Sequence, residues 1–235
     1  MSLKELKADF LEAADPARAR LLAGYFKTGR GEYAEGDKFL GLTVPATRLL
    51  AKKYQDLPMS AVKVLLASPW HEQRVCALLL LERRFGKGAP AERKHIYDLY
   101  LASSRYINNW DLVDMSAPRI VGDWLKDKSR KPLYRLAASK LLWERRIAVL
   151  ACFRFIAEGE SADALALARR LLGDKHDLMH KAVGWMLREV GKRCSEKVLL
   201  DFLEAEYARL PRTALRYAIE KFPPARRKAL LAGKF

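Results

Sequence analysis

The sequence has few cysteines and histidines, and each shortage closes off a class of chemistry. Three cysteines, Cys76, Cys152 and Cys194, stand far apart. Without a CxxC or Cys/His spacing they suggest no zinc site. A sparse, odd set reads as reduced thiols of a cytoplasmic protein rather than a disulfide framework. Of the four histidines, His176 and His180 lie one helical turn apart with Asp174 and Asp177 nearby. No third ligand is spaced to complete a metal site, so no metal is expected, and Asp177 reads instead as a helix N-cap. Gly-rich phosphate loops, Ser-His-Asp sets and GxSxG are missing, so no cofactor is expected. Apolar runs are short. Val75 to Leu81 cannot span a bilayer and is closely followed by Arg83 and Arg84. The first residues, MSLKELKADFLEAADPARAR, read as charged amphipathic helix with no signal-peptide core, so no membrane partner is expected. β-branched alternation is nearly absent, which argues against a sheet.

What is present is positive charge and helix signals. The 235 residues carry 44 Lys and Arg against 28 Asp and Glu, a net charge of +16. An excess that large favours an anionic neighbour, nucleic acid before membrane. The charge concentrates from Arg119 to Arg146, around Lys181, Arg188, Lys192, Arg193 and Lys197, and at Arg226 to Lys228. On one face these cations form a phosphate track, whereas scattered they are ordinary solvated helix faces.

Proline and glycine fall mainly at helix joints. Ser68-Pro69 reads as the N-cap and first position of a helix carrying Val75, Leu78, Leu79 and Leu81. Pro45, Pro58 and Pro90 each open another, and Asn108 is placed to cap one starting near Trp110. Later helices are expected over 143–157, 162–172, 178–194, 195–207 and 211–222. Helix pairs every roughly 35–45 residues are what degenerate HEAT-like repeats look like. The expectation is an all-α chain, one domain over 1–235, built as a curved solenoid with a basic concave face, or alternatively a compact irregular bundle. The segment Gly24 to Asp37, rich in Gly, aromatics and charge, reads as a loop.

One segment suggests chemistry, Asn108-Asn109-Trp110-Asp111-Leu112-Val113-Asp114. Trp110 and Asp114 are four residues apart and share a helix face. A carboxylate beside an indole can meet a cationic sugar, the acid supplying charge and the aromatic a water-excluding π-face. Equally, the spacing fits a core tryptophan and acids favoured by the helix dipole. Trp143-Glu144-Arg145-Arg146 puts twin arginines at a helix start. Lys181 to Glu189 carries Lys181, Trp185 and Arg188, with Gly184 permitting close approach of something.

These segments resemble the AlkD family of DNA alkylation-repair glycosylases. The resemblance covers almost the whole chain. It runs through Asp37 to Pro45, Trp110 to Asp114, Trp143 to Arg146, Asp174 to Asp177, His180 to Glu189, and Pro211 to Thr213 with Arg216 to Ile219. It implies HEAT-like repeats with a basic groove for duplex DNA, and hydrolytic release of cationic N3- and N7-alkylated purines without flipping the base out. It implies Asp114 as the catalytic acid, Trp110 and Trp185 against the sugar, and Arg146 on the DNA backbone. Tyr25 matches a DNA-surface aromatic, in a loop of different length. Arg145, Lys181 and Arg188 are further candidate DNA contacts. Asn109 departs from members that carry a second tryptophan there. The expected partner is double-stranded DNA containing alkylated purines, bound by a monomer. The competing expectations are a non-catalytic HEAT-like protein for bent or branched DNA, and a helical scaffold for protein partners.

Overall fold

Ser2 begins the fold with a capping box. Its hydroxyl accepts from the Glu5 N–H while the Glu5 carboxylate accepts from the Ser2 N–H. The resulting helix α1 (Leu3–Glu12) buries Leu6 and Phe10. Asp15 then caps α2 (Pro16–Tyr25), with Pro16 in the first turn where its missing N–H costs nothing. In this computed structural model, which describes residues 1–235, the expected all-α class is what is observed. The β structure amounts to an isolated parallel bridge between Lys38 and Trp70.

The chain forms two compact units, Met1–Ser116 and Ala117–Phe235. The first continues with α3 (Val44–Lys53), α4 (Met59–Leu66), α5 (His71–Lys87), α6 (Pro90–Ala102), a 3-10 turn at Ser104–Tyr106, and α7 (Trp110–Ala117). Helix α5 is its axis. Helices α3, α4 and α6 all pack against it, around buried Val62, Leu65, Leu78, Leu81 and Ile96.

Helix α2 buries none of its residues, and backbone contacts at its start help to hold it. The Asp15 N–H donates to the Leu40 carbonyl at 2.8 Å. Gly41, at φ +90, comes so close that a Cβ there would lie 2.1 Å from the Asp15 carbonyl oxygen. Only glycine combines that φ with that approach. The buried Glu72 carboxylate fixes the turn by accepting from the Leu40 and Gly41 N–H groups.

The second unit opens with a π-helical turn at Pro118–Gly122, where proline cannot supply the regular helix donor. There follow α8 (Asp123–Leu125), α9 (Lys131–Ala137), α10 (Leu142–Ala151), α11 (Phe153–Ala157), α12 (Ala162–Leu171), α13 (Asp177–Arg193), α14 (Glu196–Glu206), α15 (Arg212–Ala218) and α16 (Pro224–Leu231). Helix α13 is its axis, contacting α10, α11, α12, α14 and α15.

The helix signals at Pro45, Pro58 and Pro90 are borne out by α3, α4 and α6. Others shift. Ser68 does not cap α5, which begins at His71, because the Lys38 bridge keeps Trp70 extended. Instead the Ser68 hydroxyl accepts from the Trp70 N–H at 3.1 Å. The N-cap of α13 is His176, whose ring nitrogen accepts from the Leu178 N–H, and Asp177 is the first helical residue. The expected 143–157 helix is divided at Cys152, whose N–H bonds three residues back to Val149. The last expected helix stops at Ala218 rather than continuing to Phe222.

Candidate active site

Asn109, not Asn108, caps α7. Its carbonyl accepts from the Val113 N–H at 3.2 Å, and its side-chain oxygen accepts from the Trp110 N–H at 2.8 Å. Asn108 is occupied elsewhere, donating its side-chain amide to Asp37 at 2.9 Å.

Trp110 is built into an aromatic stack. Its ring lies on Phe26 at 5.4 Å between centroids and 25° between planes, and Tyr25 meets it edge-on at 6.0 Å. Phe26 in turn stacks on Phe39 at 5.2 Å and approaches His71 at 4.9 Å. The indole N–H of Trp110 hydrogen-bonds the Tyr33 hydroxyl. Burial raises the pKa of that phenol, and the bond from Trp110 works in the opposite direction. Phe26 is buried whereas Tyr25, the last residue of α2, is 63% exposed. The stack therefore ends in Tyr25, which is open to solvent beside the half-buried Trp110.

Behind the stack lies a buried chain of charges. His71 Nε2 is 2.8 Å from Asp111 Oδ2, and its Nδ1 is 3.7 Å from Asp37 Oδ2. Arg74 donates to Asp37 at 2.6 Å and to the Ser68 carbonyl at 2.8 Å. Burial disfavours the His71 cation, but the Asp111 and Asp37 carboxylates outweigh it, so its pKa is raised. Asp37 is lowered in spite of its own burial, through His71, Arg74 and Asn108. His71 and Arg74 thus balance two carboxylates beneath Trp110.

Asp114 lies one turn along α7 from Trp110 and is half-buried. Close by is the fully buried Tyr100, whose hydroxyl meets the Ser116 hydroxyl at 2.9 Å. Ser116 donates to the Leu112 carbonyl at 2.5 Å. Burial raises the Tyr100 pKa, and the negative charges of Glu82 and Asp114 raise it further. A neutral phenol therefore backs the carboxylate.

The second unit holds the remaining candidates. Lys181, Trp185 and Arg188 fall on one face of α13, with Trp185 half-buried at 6.2 Å from Phe153. What Gly184 admits is α15. A Cβ at Gly184 would lie 2.4 Å from the Ala214 carbonyl oxygen and 2.6 Å from Tyr217 Cβ. Arg146 is buried on α10 and donates to the Leu178 carbonyl at 2.6 Å. Arg145 is anchored on Asp174 at 2.6 Å and on the Ser139 and Lys140 carbonyls. Lys181 pairs with Asp177 at 2.8 Å, and Arg188 with Glu220 and Glu189.

The structure brings Tyr25 against Trp110 and sets Asp114 on the same helix as Trp110. His71, Phe26, Phe39 and Tyr33 complete that group and were not singled out from sequence. Their partners are distant along the chain, as with His71 and Asp111, which are 40 residues apart.

With this geometry in view, the family comparison is decisive. The family model of the DNA alkylation repair enzyme matches residues 6–222. The chain belongs to that family. A solved structure described as a predicted DNA alkylation repair enzyme from Enterococcus faecalis shares its fold. It aligns with a TM-score of 0.69 and 16% identity, over 90% of this chain and 97% of that one. Comparison with curated proteins by sequence returns no match. The all-helical repeat fold is thus that of a DNA alkylation repair enzyme. No helix is long and apolar enough to cross a membrane.

Proposed function

We propose that the protein is a DNA glycosylase that hydrolyses the N-glycosidic bond of cationic N3- and N7-alkylated purines in duplex DNA. The chain 1–235 would act as one functional domain, as a monomer and without a cofactor. The observation that carries this reading is the pairing on α7 of a half-buried carboxylate, Asp114, with an indole held by Phe26, Tyr25 and Tyr33.

N3 or N7 alkylation makes the purine a cation, so it can leave as a neutral base without a general acid. Cleavage moves the glycosidic electron pair to the base and leaves oxocarbenium character on the deoxyribose. Water then adds at C1′ and gives up a proton. A carboxylate about 4 Å from that developing charge, at an effective dielectric of about 20, is worth about 4 kcal/mol. That is roughly a thousandfold in rate if it acts only in the transition state. Asp114 is assigned this stabilisation and the positioning of the attacking water. Trp110 and Trp185 are assigned to pack on the sugar, exclude solvent and add cation–π stabilisation. Selectivity would follow from the lability of the cationic bond, with the base left stacked.

Arg146 is assigned to the DNA backbone near the lesion. Because it is buried and anchored on Leu178, its charge would be fixed in place and weakly screened. Arg145 would add to that fixed field, while Lys181, Arg188 and Tyr25 would contact the DNA surface. Lys181 can exchange Asp177 for a phosphate at little cost, since exposed ion pairs are weak.

The test is single-turnover release of 7-methylguanine from a methylated duplex by the wild type and Asp114→Asn. The expected result is release by wild type and a loss of about two to three orders of magnitude in the variant, with duplex affinity retained. Salt-sensitive duplex binding without release by wild type would overturn the enzyme reading and leave a non-catalytic DNA-binding protein.

A further inference from the structure

Six backbone positions have positive φ, and five of them are glycine. The sixth is Lys27, at φ 58. It follows the last residues of α2, where the Lys27 N–H bonds the Gly24 carbonyl at 3.3 Å and the Thr28 N–H bonds the Ala23 carbonyl at 3.2 Å. These two bonds are the Schellman termination, whose left-handed position is ordinarily glycine. A lysine there is locally worse than glycine because its Cβ crowds the following carbonyl. Backbone termination therefore does not explain the side chain.

The surroundings indicate what the side chain is for. Lys27 is exposed and makes no hydrogen bond or ion pair through its ammonium. Glu32 and Glu35 of the same loop are turned onto its backbone, Glu32 accepting from the Gly29 N–H and Glu35 from the Gly31 N–H, each at 2.8 Å. They do not neutralise it. Two residues earlier, Tyr25 stands exposed against Trp110.

We infer that Lys27 is a phosphate-contacting residue at the rim of the Tyr25–Trp110 surface, taking the sugar–phosphate backbone of duplex DNA. This rests on the DNA-binding part of the proposed function and not on catalysis. The left-handed turn gives the side chain a fixed starting point two residues from the exposed Tyr25, where the general surplus of surface lysines would not.

The experiment measures affinity for a short undamaged duplex across a salt series, for wild type, Lys27→Gly, Lys27→Gln and Lys27→Arg. Losing one phosphate contact lowers the slope of log K against log salt by about 0.9. That decrease is expected for Lys27→Gly and Lys27→Gln, while Lys27→Arg keeps the wild-type slope. Lys27→Gly should also raise Tm, by about 2–4 °C, because the turn is relieved. A wild-type slope in Lys27→Gly and Lys27→Gln overturns the inference, as does loss of slope in Lys27→Arg. A wild-type protein with no salt-dependent affinity removes the DNA reading itself, and this inference with it.

Discussion

His71 and Asp111 are joined through Nε2 and Oδ2 at 2.8 Å, across 40 residues of sequence. The contact ties the start of α5 to the first turn of α7, directly beside Trp110. The second imidazole nitrogen faces Asp37, which is itself held by Arg74 and Asn108. Phe26 and Phe39 cover the ring.

This arrangement predicts a pH-dependent stability. The His71 pKa is raised in the fold. Its stabilisation is then complete below the unfolded value of about 6.5 and fades as pH rises through the folded value. Urea midpoints of wild type and His71→Gln should differ most between about pH 5 and 6.5 and converge in alkali. His71→Ala, which leaves the buried Asp37 and the partly buried Asp111 carboxylates facing one arginine, should cost about 3 kcal/mol near pH 6. A wild-type-to-variant difference that does not shrink as pH rises would show that the imidazole is held neutral.

Gly184 sets the spacing of α13 and α15. The Cβ of an alanine there would stand 2.4 Å from the Ala214 carbonyl oxygen, a backbone atom that cannot move by rotamer change. Gly184→Ala should therefore lower stability by about 1–3 kcal/mol despite alanine's better helix propensity. It should also disturb Lys181, Trp185 and Arg188 on the same helix. Chemical denaturation checks the first expectation. An alanine variant as stable as wild type would mean that the two helices separate freely.

How much of this was legible beforehand depends on how local each determinant is. Pro45 and Pro90 act within a single turn, and α3 and α6 begin where they indicate. Trp110 and Asp114 were placed on one helix by spacing alone, and α7 contains both. The failures come from long-range contacts. Asn108 reads from sequence as the cap of α7, but Asp37 takes its amide and Asn109 caps instead. Ser68 looked like a cap until Lys38 bridged to Trp70 and delayed α5. His71 carried no signal of its own, because its partners Asp37 and Asp111 come from a loop and another helix. The net charge of +16 favours an anionic neighbour but does not say which cations are committed elsewhere. Arg145 and Arg188 turn out to be paired with acids.

That division separates the basic residues by experiment. Arg145 and Asp174 form a largely buried pair at 2.6 Å, at 17% and 6% side-chain exposure. Arg145→Ala strands Asp174 and two carbonyls and should cost about 3 kcal/mol of stability. Lys181 and Asp177 are far more exposed, so Lys181→Ala should change stability by about 0–1 kcal/mol. Its effect should fall instead on the salt dependence of duplex affinity, a slope decrease of about 0.9. Melting curves and salt-series binding on the two variants give the comparison. A salt slope unaltered in Lys181→Ala would take that residue out of the DNA contact.

The hydroxyl of Tyr33 offers the finest test of whether Trp110 must be held in one orientation. Tyr33 bonds the Trp110 indole, and burial together with the charges of Asp111 and Glu32 keeps its phenol neutral. Tyr33→Phe removes a hydrogen-bond acceptor while preserving the ring, at a stability cost of about 1 kcal/mol. Trp110 keeps its stack on Phe26, so duplex affinity should hold. If Trp110 acts by fitting the sugar in the transition state, a small reorientation lowers the single-turnover rate without weakening binding. A decrease of about tenfold is expected, equivalent to about 1.4 kcal/mol of barrier. Trp110→Phe, which removes the indole N–H together with much of the indole surface assigned to the sugar, should lose more. Combining the two changes should add little to the loss of Trp110→Phe alone, because that change has already broken the hydrogen bond to Tyr33. A double variant whose losses simply multiply would place Tyr33 and Trp110 in independent roles.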